Sequence, residues 1–266
     1  MSGMPLRTSP WPAGVPCWLD LTVTDVPLAQ AFYGAVLGWT FADTAADFGG
    51  YVIGQTQGMA AAGIGPTPEP GLPAAWTLYL AADDADATAK KVTDAGGTLL
   101  LPPGDVGPLG RMFVAADPTG AVFGGWQAGS HIGAGVHSEP GGLTWEDLRS
   151  PDPDRARAFY TEVFGYETTA PDLAGPDYTT FHRPGDPAPL GGIGGMFGLD
   201  APPHWLVYFG VADTELALEQ ALGHGGAMPA PPQDSPFGRM GTITDPFGAT
   251  FMVVQTDGST APDRGR

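Results

Sequence analysis

Apolar and polar positions alternate through Trp18-Leu19-Asp20-Leu21-Thr22-Val23, with Leu19, Leu21 and Val23 on one side and Trp18, Asp20 and Thr22 on the other. This two-residue period predicts a strand with an apolar face toward a core and a mixed face turned away from it. At Asp25 the period changes. Asp25 sits at a helix start with Pro27 in the first turn, and Leu28, Ala31, Phe32, Ala35 and Val36 recur at helical spacing until Gly38 closes the helix. Short strand-like pieces follow at residues 51–53 and 60–65, then a Pro-rich connector over 65–73. The plan restarts with a strand at 76–81, an N-cap at Asp84, a helix bearing Ala85, Ala89 and Val92, and a stop at Gly96-Gly97. Strands are expected around 99–101, 111–116 and 121–127, the last two joined by the tight turn Asp117-Pro118-Thr119-Gly120.

The whole pattern then returns. AFYGAVLGW at 31–39 recurs as AFYTEVFGY at 158–166, PAAWTLYL at 73–80 as PPHWLVYF at 202–209, and LGRMFVAADPTGAVF at 109–123 as FGRMGTITDPFGATF at 237–251. A spacing of roughly 130 residues is too long for a solenoid, so the repeat unit is a domain. The expected fold is α+β, with strand, helix and three strands occurring twice in each of two tandem domains. A leader at 1–14, disordered or draped over a neighbour, precedes domain one at 15–128. A glycine-rich flexible linker at 129–142, domain two at 143–256 and a loose tail at 257–266 complete the division. Domain two repeats the signals: a strand over 145–149, a helix start at Asp152-Pro153, helix residues Ala158, Phe159 and Val163, and Gly165 as stop. Its second helix carries Leu218, Ala221 and Leu222 and precedes the turn Asp245-Pro246-Phe247-Gly248.

The strand ending in Thr24-Asp25, the helix with Phe32-Tyr33 and Leu37-Gly38, the Gly96-Gly97 helix end and the Asp117-Pro118-x-Gly120 turn, each present twice in order, resemble the vicinal oxygen chelate superfamily. This is the glyoxalase, bleomycin resistance protein and dioxygenase family, and the resemblance covers nearly everything from Pro16 to Gln255. It implies paired βαβββ modules whose curved sheets enclose a cup with the ligand inside. It also implies, for members that are enzymes, a divalent metal held by His, Gln or Glu. This chain departs from that pattern. The first-strand ligand position, seven residues before the helix-capping Asp, holds Trp18 and Trp145. The strand opening the second half offers Trp76 or Thr77, and Trp205 or Leu206; the last-strand position, seven after the turn Asp, holds Gly124 and Met252. None suits a hard or borderline metal. The five histidines, His131, His137, His182, His204 and His224, show no ligand spacing. No metal or other cofactor is expected, which weighs toward a binding protein rather than an enzyme.

Composition narrows the partners. With 29 acidic against 11 basic residues and a net charge of −18, the surface repels phosphate backbones and anionic headgroups. Neither nucleic acid nor a membrane is expected as a partner, and the charge would favour a cationic ligand if it acts at all. One cysteine, Cys17, excludes an internal disulfide, and no apolar run of membrane length or signal-like start is present, so a cytoplasmic protein is expected. The tandem repeat can mimic the dimer of single-domain relatives, leaving a monomer or a homodimer open.

The candidate site follows from the inward strand positions: Trp18, Asp20 and Thr22 with Val122, Gly124 and Trp126, and Trp145, Asp147 and Arg149 with Thr250, Met252 and Val254. Trp76 and Trp205 join them as further indoles. A floor of indoles, with a glycine leaving room for a ring, suits a planar aromatic molecule. The first expectation is therefore a metal-free protein that sequesters or carries an aromatic or polycyclic natural product, in antibiotic self-resistance or as a biosynthetic accessory. The alternative is a metal-free isomerase or cyclase using Asp20 or Asp147 as acid or base, or the two carboxylates instead neutralise Arg149, Arg111 or Arg239. A metal-dependent lyase or dioxygenase ranks third.

Overall fold

The computed structural model describes residues 7–41, 49–67, 71–171, 177–198 and 201–256. Domain one comprises β1 (Pro16–Val23), α1 (Val26–Leu37), β2 (Thr40–Phe41), β3 (Val52–Thr56), β4 (Met59–Pro66), β5 (Trp76–Ala81), α2 (Ala85–Asp94), β6 (Thr98–Asp105), β7 (Gly110–Ala116) and β8 (Val122–Ala128). Domain two comprises β9 (Leu143–Arg149), α3 (Pro153–Phe164), β10 (Glu167–Thr169), β11 (Tyr178–His182), β12 (Gly191–Gly194), β13 (His204–Val211), α4 (Thr214–Gly223), β14 (Gln233–Ser235), β15 (Gly238–Thr244) and β16 (Thr250–Gln255). The fold is α+β. One eight-stranded sheet runs β2-β3-β4-β1-β5-β8-β7-β6, and β9 to β16 repeat that order in a second. Two βαβββ modules meet in each sheet at an antiparallel central pair, β1 with β5 and β9 with β13.

Local chemistry places the helices. Each opens on an aspartate whose carboxylate accepts a first-turn N–H: Asp25 from Leu28 at 3.0 Å, Asp84 from Ala87 at 2.9 Å, Asp152 from Arg155 and Asp213 from Leu216, both at 3.1 Å. Such a cap contributes about 1 kcal/mol. In α1 the buried stripe is Ala29, Phe32, Tyr33, Val36 and Leu37. Leu28 and Ala31, expected inside, are exposed, as are Ala158 and Leu222. The stripe is turned because Tyr33 faces the other domain: its hydroxyl donates to Asp245 Oδ2 at 2.8 Å. Asp245 Oδ1 accepts the N–H groups of Phe247 and Ala249, so the Asp-Pro-x-Gly turn is also an interdomain lock. Tyr160 of α3 faces Asp117 in the reciprocal place.

The core sits between the sheets. Tyr33 of α1 packs on Trp76 of one sheet and Phe251 of the other, while Tyr160 packs on Trp205 and Phe123. The faces opposite this helix-filled layer are the ones the family resemblance makes the insides of the cups.

The linker corrects the expectation of a flexible tether. The Ala134 N–H donates to Cys17 O at 2.7 Å, Gly135 to Ala60 O at 2.8 Å, and Gly141 to Gly210 O at 2.8 Å. Gly133 to Ser138 are buried. Small residues let this backbone lie flat on both domains and use their free carbonyls, which a bulkier tether could not approach. Residues 7–14 of the leader drape over it, with Trp11 Nε1 donating to Ala134 O at 3.0 Å. Residues 1–6 and the expected tail at 257–266 lie outside the described residues. No helix among the described residues is long and apolar enough to cross a membrane.

Candidate ligand-binding site

Strand register decides which side chains share a concave face, because directly paired residues point the same way. Trp18 pairs with Tyr79 and Tyr79 with Gly124; Asp20 pairs with Thr77. In domain two Trp145 pairs with Tyr208, Tyr208 with Met252, and Asp147 with Leu206. Trp18, Asp20, Gly124 and Trp126 therefore line one cup, and Trp145, Asp147, Arg149 and Met252 the other. Trp76 and Trp205 do not join them. Trp76 pairs with Leu21 and Trp205 with Leu148, on the apolar face, where both indoles are buried core. A one-residue offset along a strand reverses the face, and these tryptophans fall on the helix side.

At the centre of each cup a carboxylate is held by phenols that the linear reading missed. Asp147 Oδ1 accepts from Trp145 Nε1 at 2.9 Å and Tyr178 OH at 2.8 Å; Oδ2 accepts from Tyr208 OH and Arg149 Nη2, both at 2.7 Å. Asp20 Oδ1 accepts from Trp18 Nε1 at 2.8 Å and from the Tyr51 hydroxyl, with Tyr79 as a further donor. Glycine makes this approach possible: a Cβ on Gly192 would come within 2.1 Å of the Tyr178 hydroxyl and 2.3 Å of Asp147 Oδ1. The available signal was repetition, since Tyr51 and Tyr178, and Tyr79 and Tyr208, occupy equivalent places.

Electrostatics separates the two carboxylates. Burial pushes the Asp20 carboxyl pKa up, opposed by the hydrogen bonds from Tyr51, Trp18 and Tyr79. No cation among the described residues pairs with Asp20. Burial, then the charge of the neighbouring aspartate, raises Tyr51 and Tyr79 in one cup and Tyr178 and Tyr208 in the other. Asp147 has its cation in Arg149. The other two arginines serve elsewhere: Arg111 pairs with Asp86 and Asp105, and Arg239 with Glu215 and Asp234. With both oxygens engaged by donors, Asp147 is poorly placed to take a substrate proton.

The residues present do not fit the family's metal. The rows that cross the sheets at the ligand positions read indole, phenol, glycine (Trp18, Tyr79, Gly124) and indole, phenol, thioether (Trp145, Tyr208, Met252). Neither offers imidazole or carboxylate, and the described residues hold no cluster of His, Cys, Asp or Glu suited to a metal. Gly124 does not leave the expected room for a ligand ring either. A Cβ there would lie 2.2 Å from Cδ1 of Tyr79, so the Tyr79 ring already covers it.

The mouths differ. In the first cup His131, from the linker, stands edge-on to Trp18 with ring centroids 4.4 Å apart and packs on Trp126 at 5.6 Å. Trp18 and Trp126 are 4% and 6% exposed. In the second cup Trp145, Tyr178, Arg149, Thr242 and Met252 are all partly exposed. Phe197, 57% exposed, stacks over Arg149 with Cζ 4.9 Å from the ring centroid. A cleft of about 190 Å³ opens at the margin of the first sheet, between Trp11, Cys17, Ala82 and Trp126. It is smaller than the ~300 Å³ at which small-molecule sites begin.

The paired βαβββ modules, the outward cups and the repeated Asp-Pro-x-Gly locks define the class. The chain belongs to the glyoxalase/bleomycin resistance protein/dioxygenase superfamily, whose family model matches residues 17–124 and 139–253. It is similar to the putative glyoxylase CFP32 of Mycobacterium tuberculosis, 39% identical over 258 residues that cover 95% of this chain and 98% of the relative. It is also similar to the anthracycline biosynthesis protein DnrV of Streptomyces peucetius, 37% identical over 260 residues, 91% of this chain and 93% of the relative. Among solved structures, the Mn(II)-bound glyoxalase from Novosphingobium aromaticivorans superposes with a TM-score of 0.66 at 18% identity, covering 94% of this chain and 83% of that one. The 2,3-dioxygenase LapB from Pseudomonas sp. KL28 gives 0.63 at 15% identity, covering 94% of each. At such identities the structural matches show the fold alone.

Proposed function

We propose that this chain is a cytoplasmic, metal-free binding protein that holds a planar aromatic or polycyclic natural product in its second cup. Sequestration for self-resistance, or carriage during biosynthesis, is the role that fits such binding. The observation that carries this reading is the set of partly or fully exposed aromatic rings, Trp145, Tyr178 and Phe197, near a carboxylate whose own hydrogen bonds are satisfied. Such rings offer stacking without reactive groups. The similarity to DnrV, a protein named for anthracycline biosynthesis, supports a natural-product role. Burying about 300 Å² of apolar ligand surface is worth roughly 7 kcal/mol gross at about 25 cal/mol per Å², before the cost of association. Stacking on each ring adds about 0.5 to 1.5 kcal/mol, so micromolar binding is expected.

The test is a tryptophan fluorescence titration against planar polycyclic quinones and phenols, with added divalent metal and with chelator. Saturable quenching that ignores the chelator supports the proposal. Quenching that requires metal, or turnover of the compound, overturns it.

A further inference from the structure

The second cup contains a charged group that the first lacks. Arg149 stands where domain one has Thr22, and its side chain is 13% exposed. Its Nη2 donates to Asp147 Oδ2 at 2.7 Å and to the Tyr208 hydroxyl at 3.4 Å. Nε is buried without an acceptor, and Nη1 donates to no group among the described residues. A guanidinium carries five N–H donors in a rigid plane and is stabilised in a protein interior only when they are answered. Here part of the fork is unanswered.

Phe197 holds that plane in place. Its ring covers the guanidinium at 4.9 Å, and its backbone has φ 47°, in the left-handed region that bulky residues adopt only under constraint. The ring also rests on Gly194, where a Cβ would lie 3.0 Å from Phe197 Cε2. The opposite wall is Trp145, partly exposed. On this face Asp147 has no acceptor left unoccupied, since both of its oxygens already accept from two donors.

Resting on the aromatic-binding reading above, the geometry points to Arg149 as the residue that selects the ligand: a planar aromatic molecule bearing an anionic oxygen, carboxylate or phenolate, on its ring edge. The ring stacks against Trp145 and Phe197, and the oxygen accepts from Nη1 of Arg149, which donates to no group among the described residues. This choice runs against the net charge of −18, which favours a cation at long range. Local donors decide affinity here, while the acidic surface slows encounter and makes the on-rate rise with salt.

The experiment compares 2-naphthoate, 2-naphthamide and 2-naphthylmethylammonium by calorimetry and tryptophan quenching on the full chain. Expected for the wild type is naphthoate binding about tenfold or more tighter than either of the others, equivalent to about 1.4 kcal/mol. Arg149→Met should erase that preference while naphthamide affinity stays within about threefold. The neutral pair Asp147→Asn with Arg149→Met should also lack it, which separates a lost contact from repulsion by an uncovered carboxylate. Naphthamide or the ammonium binding as tightly as naphthoate overturns the role of Arg149 and leaves the aromatic cup standing. A naphthoate preference that survives Arg149→Met overturns it equally. Absence of saturable binding by all three overturns the cup reading and this inference with it. The wild-type comparison decides even if a variant does not fold.

Discussion

The two cups share a frame and differ at the mouth. Trp18, Asp20, Tyr51 and Tyr79 in one domain match Trp145, Asp147, Tyr178 and Tyr208 in the other, with the same indole and phenol donors on the carboxylate. What the duplication repeats is a strut across the sheet centre. What differs is the surroundings: Thr22 against Arg149, Gly124 against Met252, Trp126 against Val254, and a linker histidine seated on Trp18. In the first cup His131 covers the two buried indoles, while Asp20, Thr22 and Tyr51 stay partly exposed; the second presents a cation and an exposed phenylalanine. This divergence between two copies in one molecule is why we propose the second cup, rather than the first, as the ligand site.

The largest effect should come from the indoles. Trp145→Ala is expected to weaken aromatic binding by about tenfold or more, from lost stacking and area, while Trp18→Ala changes it less than about twofold. Equal losses in the two variants would show that the cups are equivalent in binding. Next comes the strut. Tyr51→Phe removes a donor from a carboxylate that no described cation pairs with, for an expected loss of about 1 to 3 kcal/mol in urea unfolding; Tyr178→Phe, beside Arg149, should cost about 0.5 to 1.5 kcal/mol. The reverse order would mean that Arg149 does not stabilise Asp147.

The first cup should also leave a mark on the pH dependence of stability. The folded pKa of Asp20 is raised, so the folded state holds its proton more tightly, and stability falls as pH rises from about 3.8 through the raised value, then levels off. Asp20→Asn should become more stable relative to wild type across that window. Asp245, also raised by burial, is present in both proteins and cancels in the difference. A flat difference between pH 4 and 7 would place the Asp20 carboxyl at its unfolded value. The smallest effect concerns the plug. His131→Ala should cost about 0.5 to 1.5 kcal/mol and increase acrylamide quenching of Trp18. Burial lowers the His131 pKa, so its share of stability is present above about 6.5 and is lost as pH falls below that. Unchanged quenching in this variant would show that the linker does not cover the first cup.

Much of the frame was legible in the chain. Asp25, Asp84, Asp152 and Asp213 at helix starts, Gly38 and Gly165 in left-handed caps and the two Asp-Pro-x-Gly turns act through neighbours a few residues away, so sequence spacing alone locates them. Trp18, Asp20, Trp145 and Asp147 could be put on one face because side chains alternate strictly along a strand. The linker was misread because a run of Gly and Ala signals freedom only when nothing nearby supplies acceptors. Here Cys17, Ala60 and Gly210 supply them.

By itself, then, the sequence determined two tandem βαβββ-paired domains, their helix boundaries and the residues facing away from the core on each first strand, all consequences of local spacing and of a pattern written twice. Tertiary structure alone decided that Trp76 and Trp205 belong to the core, that four tyrosines bind the cup carboxylates, that Tyr33 reaches Asp245 across the domains, and that His131 packs on Trp18 of one cup while Phe197 stacks over Arg149 of the other. Those outcomes depend on interstrand register and on contacts between residues some 30 to 200 positions apart. Hydrophobic period and capping chemistry carry no information about partners at such separations.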